Sequence, residues 1–282
     1  MGRLLIVNAD DLGWSVEVNA GIIASHVAGV VSSVTLTATM PGADDAVDRL
    51  KDCPELGVGV HLTLTAGKPV CSDESVRARL APGGDFGSSL LKLLVCARRS
   101  GSWREAAEAE LSAQVQWLLD RGIKPDHVDS HKHFHVVSPF SGMVARVARG
   151  FGIACVRNTC ERRVRLGNVR LSARLRRRLL MHWGKQASKV FAGQGLVSPG
   201  AFFGIADTGR PSVARVKAFL ETCRAGSVEW MVHPGELEPT PSAVSRLGAS
   251  RPVEKKMLTS PEVRAMIAES GFELVRYQEL TA

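Results

Sequence analysis

LLIVNADDLG, residues 4–13, carries four apolar residues straight into two adjacent carboxylates, Asp10 and Asp11. An unbroken short apolar run is the pattern of a parallel strand buried on both faces. Charged groups where such a strand emerges fit α/β folds, whose reactive side chains gather at the carboxyl ends of strands. The fold turns on whether the rest of the chain repeats this pattern.

It does. Strand-like segments recur at SVTLTATM (33–40), GVGVHLTLT (57–65), the start of HVDSHKHFH (127–135), Ile153–Val156, VEWMVHPGE (228–236) and FELVRY (272–277). Helix-like segments separate them at Val16–Val30, Asp44–Leu50, Trp103–Arg121, Met143–Gly150, Val213–Arg224 and Pro261–Ser270. Residues 66–88, rich in Gly, Pro and Ser, read as a surface loop. Seven strands are visible, and an eighth fits near Ala201–Ile205. Alternating strands and helices imply a parallel sheet with helical crossovers. With 282 residues and 45% apolar content, one large core suffices. The expectation is α/β: a single-domain, seven- or eight-stranded β/α (TIM-like) barrel over residues 1–282, with a basic helical insertion at about 161–195. An open doubly wound sheet is the alternative.

Composition narrows the function. Six cysteines at 53, 71, 96, 155, 160 and 223 form no CxxC, which disfavours disulfides and cysteine–zinc clusters. The first apolar run is too short for a signal-peptide core, and no stretch matches a spanning helix. A cytoplasmic protein is expected, with any membrane contact peripheral, at the inner face. No GxGxxG follows the first strand and no P-loop is present, so nucleotide binding has little support. The single tyrosine leaves no aromatic platform for single-stranded nucleic acid.

Four strand ends carry ionisable groups: Asp10 and Asp11, His61, Asp129 with His131, and His233. Each has a bland reading. An Asp pair can cap a helix, a lone strand histidine is often a satisfied core residue, and His233-Pro234 can simply start a loop. DSHKHFH resists this, because alternation in an extended chain puts His131, His133 and His135 on one side. Clustered imidazoles are most stable neutral, as metal ligands. One carboxylate and two imidazoles make a three-ligand site with positions open for water and substrate. A second carboxylate beside them can take a proton from water, and a histidine opposite can protonate a leaving amine. Metal-assisted hydrolysis is the chemistry that uses this set.

LLIVNADDLG, GVHLTLTAGKPV, HVDSHKHFH and VHPGE, in that order, resemble the YdjC-like carbohydrate deacetylase family, which includes chitooligosaccharide deacetylases. DSHKHFH, NTCERR and FFGIADTG (202–209) point within it to the hopanoid-biosynthesis-associated branch. The resemblance implies a β/α barrel, one divalent metal ion and removal of acetyl from an N-acetylated sugar. Carried over by motif, Asp11, His61 and His131 would hold the metal, Asp10 would be the base and His233 the acid. Lys132 stands where the family often has a further histidine, so it takes no metal role. His133, His135, Lys132 and Asp129 remain candidates for supporting the ligands or touching the sugar. Two His and one Asp suit zinc, with magnesium the alternative. The hopanoid branch implies a glycolipid substrate with an N-acetylglucosamine head.

The formal charge is +8, from 36 Lys and Arg against 28 Asp and Glu. Residues 161–185 alone hold nine Lys or Arg and one acid, with Leu171, Leu175 and Leu179 at helical spacing. This reads either as an amphipathic helix for an anionic membrane or as a solvated helix packing its leucines on the barrel. Competing functions are a deacetylase of soluble chitooligosaccharides, a basic nucleic-acid binder, which would leave the Asp and His set unexplained, and a glycosidase built on Asp10 and a second carboxylate.

Overall fold

A computed structural model describes residues 2–87, 89–161, 171–238 and 247–281. Eight strands, all in parallel pairings, form the sheet: β1 (Arg3–Leu12), β2 (Ser33–Leu36), β3 (Gly57–Leu62), β4 (His127–Ser130), β5 (Cys155–Val156), β6 (Ala201–Phe203), β7 (Ser227–Val232) and β8 (Phe272–Leu274). The bonded path runs β5-β4-β3-β2-β1-β7-β6, with β8 paired to the start of β1. Leu5, Ile6 and Val7 are completely buried, as a two-faced strand requires. β1 is central, with six residues in register with β7, from Leu4↔Ser227 to Ala9↔Val232.

The expected barrel is seen as a curled sheet whose ladder stays open between β5 and β6 among the described residues. These strands have two and three residues, too few for a continuous ladder. Two isolated parallel bridges, Cys155↔Val197 and Glu161↔Phe202, span the seam. The eighth strand falls where the sequence placed it, as β6.

Ten helices join the strands among the described residues: α1 (Val16–Val27), α2 (Ala43–Leu50), α3 (Glu74–Leu80), α4 (Leu90–Arg99), α5 (Gly101–Leu119), α6 (Phe140–Gly150), α7 (Leu171–Gly193), α8 (Val213–Thr222), α9 (Arg251–Leu258) and α10 (Pro261–Glu269). The loop expected over 66–88 contains α3, capped by the Asp73 carboxylate on the Ser75 and Val76 N–H groups. α4, α9 and the tight turn His131–Val136 were not foreseen. The helical part of the basic stretch is α7; residues 162–170 lie outside those described. β8 ends at Leu274, short of the expected Tyr277.

Two packing details aim the site. On α5, buried Gln114 bonds both backbone groups of Thr63, at 2.9 and 2.7 Å, and so fixes the chain just past His61. Gly21 on α1 meets Gly235 so closely that a Cβ would lie 2.4 Å from it. A glycine here lets the loop carrying His233 settle against α1, where Glu236 N donates to Glu17 O at 3.0 Å.

Candidate active site

The doubled aspartate needs a break in the strand. Neighbours in a regular strand face opposite sides, yet Asp10 and Asp11 both open into one cavity. The β1–β2 register shifts between Ala9 and Leu12, and Asp11 has a φ of 68°. A left-handed, non-glycine residue in a bulge re-aims its side chain at a cost of order 1–3 kcal/mol. The surrounding bonds hold it there.

Asp11 Oδ2 accepts from Arg251 Nη2 at 2.6 Å. Its Oδ1 lies 3.6 Å from His61 Nε2 and 3.5 Å from His131 Nδ1. Two nitrogen or oxygen ligands on tetrahedral zinc, at about 2.1 Å each, stand about 3.4 Å apart. The spacing therefore fits a shared ion. His61 Nδ1 is bonded to Asp129 Oδ1 at 2.6 Å, which orients the ring and leaves Nε2 toward Asp11.

Charge argues the same way. Asp10, Asp11, Asp129 and Glu229 are buried and share two guanidiniums, Arg157 and Arg251. One divalent cation would make good the difference. Without it His61 holds a proton: burial opposes its charge, but Asp129, Asp10 and Asp11 prevail and raise it to about 9. Burial works against Asp11 ionising, yet Arg251 and the two imidazoles hold it well below the usual range. A metal bound at His61 would expel that proton, since only neutral imidazole ligates. We expect metal affinity to rise up to about tenfold per pH unit and to level off near pH 9. Titration at several pH values in two buffers of different ionisation heat would count the proton. A pH-independent affinity would show that His61 is not a ligand.

Arg157, the first residue beyond β5, is fully buried behind this site. It grips Asp10 with two bonds of 2.6 Å, and reaches Asp129 at 2.5 Å and Glu229 at 2.8 Å. Tyr277 donates to Glu229 from the other side. Burial notwithstanding, Arg157 keeps Asp10 ionised well below its ordinary pKa. His233 Nε2 stands 3.9 Å from Asp10 Oδ2.

The cavity over these groups encloses about 940 Å³. Asp10, Asp11, His61, His131 and His233 contribute to its lining, and so do Leu90, Leu175, Leu179, Leu180, Trp183 and Leu247. The described family model for YdjC-like protein matches residues 4–269. The chain belongs to the YdjC-like family. It is 31% identical to a carbohydrate deacetylase of Geobacillus stearothermophilus over 99% of this chain and 98% of that one. It is also 31% identical to a chitooligosaccharide deacetylase of Proteus mirabilis, over 99% and 100%. A crystal structure from Enterococcus faecalis, described as a candidate cellobiose-phosphate cleavage protein, superposes with a TM-score of 0.80 at 25% identity, covering 99% of each chain.

In this YdjC-like chain the motif residues divide. Asp10, Asp11, His61, His131 and His233 converge, and Lys132 and His133 join them on the cavity wall. Asp129 and His135 do not reach it. Asp129 is fully buried behind His61, and His135 is bonded to Ser130 Oγ at 2.7 Å, with burial pushing its imidazole down to about 3. The three histidines do not share a strand face either. Lys132 and His133 have φ of 59° and 57°, so the chain coils at His131 and only His131 meets Asp11.

His233 lines the same cavity. Burial is the dominant influence and pushes its pKa down to about 4, so the resting imidazole is neutral near pH 7. It holds no proton for a leaving amine until it receives one. Arg157, Arg251 and Glu229 were missed in the sequence. Glu229 alone left a signal, an acid inside the buried strand SVEWMV.

Proposed function

We propose that this chain is a metal-dependent N-deacetylase for an N-acetylglucosamine unit carried on an apolar aglycone, as in a hopanoid glycolipid. Its carbohydrate-deacetylase activity rests on the full-length relatives of that name. The carrying observation for the finer reading is one cavity with a hydrolytic floor and a leucine-rich wall. We read the curled sheet as a TIM-like barrel with one loose seam, and the site lies at the carboxyl ends of its strands.

Asp11, His61 and His131 would hold the ion, and two imidazoles favour zinc over magnesium. The ion would supply Lewis-acid polarisation of the acetyl carbonyl and acidify a water. Asp10, ionised and fixed by Arg157, takes the proton from the attacking water. His233, neutral and 3.9 Å from Asp10, can receive that proton and deliver it to the departing nitrogen. Water and amide thus give acetate and amine. A glycosidase would need a second carboxylate across the sugar. Among the described residues, only the neighbours Asp10 and Asp11 put carboxylates into the cavity.

A soluble chitooligosaccharide is the second reading, favoured by the name of the Proteus mirabilis relative. The two readings differ at Leu175 and Leu179. Changing both to Ser should lower kcat/KM on a lipid-linked N-acetylglucosamine by about tenfold or more, and leave a soluble oligomer nearly unaffected. Equal losses on both substrates, or a parent preference for the soluble one, would reject the glycolipid.

A further inference from the structure

On α4 and the first half of α7, five large apolar side chains stand in solvent: Leu91 and Val95 on α4, at 71% and 40% exposure, and Leu171, Leu175 and Leu179 on α7, at 81%, 58% and 43%. Both helices border the active-site cavity, α4 through Leu90 and α7 through Leu175 and Leu179. The apolar residues therefore flank its mouth. The apolar anchors of α7, buried Leu180, Gly184, Ala187 and Phe191, lie farther along, and its first half is tied down by Arg176, which donates to Ile205 O at 2.6 Å. No helix of the described residues is long and apolar enough to cross a membrane.

Charge on these helices is one-sided. Together α4 and α7 hold nine Lys or Arg and no acid. Since the chain totals +8, the remainder is left at −1. The whole basic excess lies in two helices that also display the exposed leucines. Two copies of this surface facing each other would set like charge against like, which disfavours self-association. A nucleic acid would satisfy the charge and leave the leucines in water.

We propose that α4 and the first half of α7 dock on an anionic lipid bilayer, with the leucines in the headgroup boundary and the cavity mouth turned to the membrane. Docking stands on this surface alone; that the docked enzyme draws its substrate from the bilayer rests on the glycolipid reading above. Basic residues beside apolar ones on an interfacial helix give attraction and insertion together.

The test is co-sedimentation of the intact chain with phosphatidylcholine vesicles, with and without phosphatidylglycerol. Variants avoid residues that line the cavity: Lys92→Ser with Arg174→Ser and Arg178→Ser, and separately Leu91→Ser with Leu171→Ser. Thermal melting like the parent's would show that they fold. The parent should bind the anionic vesicles and lose binding as salt rises. The triple variant should bind about a hundredfold more weakly, and the leucine pair at least about tenfold. No parent binding to anionic vesicles overturns the proposal. So does binding indifferent to the leucines, as a nucleic-acid surface would show, or a leucine pair that merely turns a dimer into a monomer. Vesicle binding without acetate release from any N-acetylated sugar would reject the deacetylase and keep the docking surface. Acetate release without vesicle binding would do the reverse.

Discussion

His61→Ala should leave the protein without its metal and without measurable turnover. The substitution removes one of the three proposed ligands and also leaves Asp129 without its imidazole partner. A graded comparison separates ligand from support. Asp129→Asn keeps His61 but weakens its orientation, and such changes behind a ligand cost about 10–100-fold in metal affinity. His61→Ala should exceed that, as should His131→Ala. Elemental analysis after dialysis against a weak chelator reads the result. Full occupancy in His61→Ala, or a larger loss in Asp129→Asn, would contradict the assignment.

Arg157→Met should be the most destabilising change in the site. The guanidinium is fully buried and is shared by Asp10, Asp129 and Glu229. Removing it leaves like charges together in a dry interior, where breaking a buried pair costs about 3–5 kcal/mol. That corresponds to a fall in Tm on the order of 10 °C. The deficit should shrink as pH drops toward about 4, where the carboxylates begin to take up protons. Arg157→Lys should recover part of the stability but not the two-point grip on Asp10. A Tm unchanged across that range would mean that the carboxylates do not depend on Arg157.

Much of this site is legible in the sequence because parallel strands write their ends plainly. Apolar runs stop at Asp10, His61, Asp129 and Met231-Val232-His233, and the fold gathers those ends. The counter-charges are not legible. Arg157 follows a two-residue strand and Arg251 opens an unforeseen helix, so neither stands in a recognisable pattern. The turn after β4 is not legible in the sequence, because left-handed φ at Lys132 and His133 has no glycine to announce it. α4 was missed although Ser89 caps it, since its leucines follow a Gly- and Ser-rich loop without a clear break. The β1 bulge, which lets both aspartates serve one cavity, is likewise a tertiary feature with no local signature.

Acetate release from an N-acetylglucosaminyl lipid, followed before chelation, after chelation and after return of one equivalent of zinc, tests the central claim most directly. The account predicts one acetate per glucosamine formed, loss of release in the metal-free protein, and recovery with zinc while Asp10→Asn stays low by about 10²–10⁴-fold. Acetate release undiminished in metal-free protein, or none at all from any N-acetylated sugar with zinc bound, would contradict it.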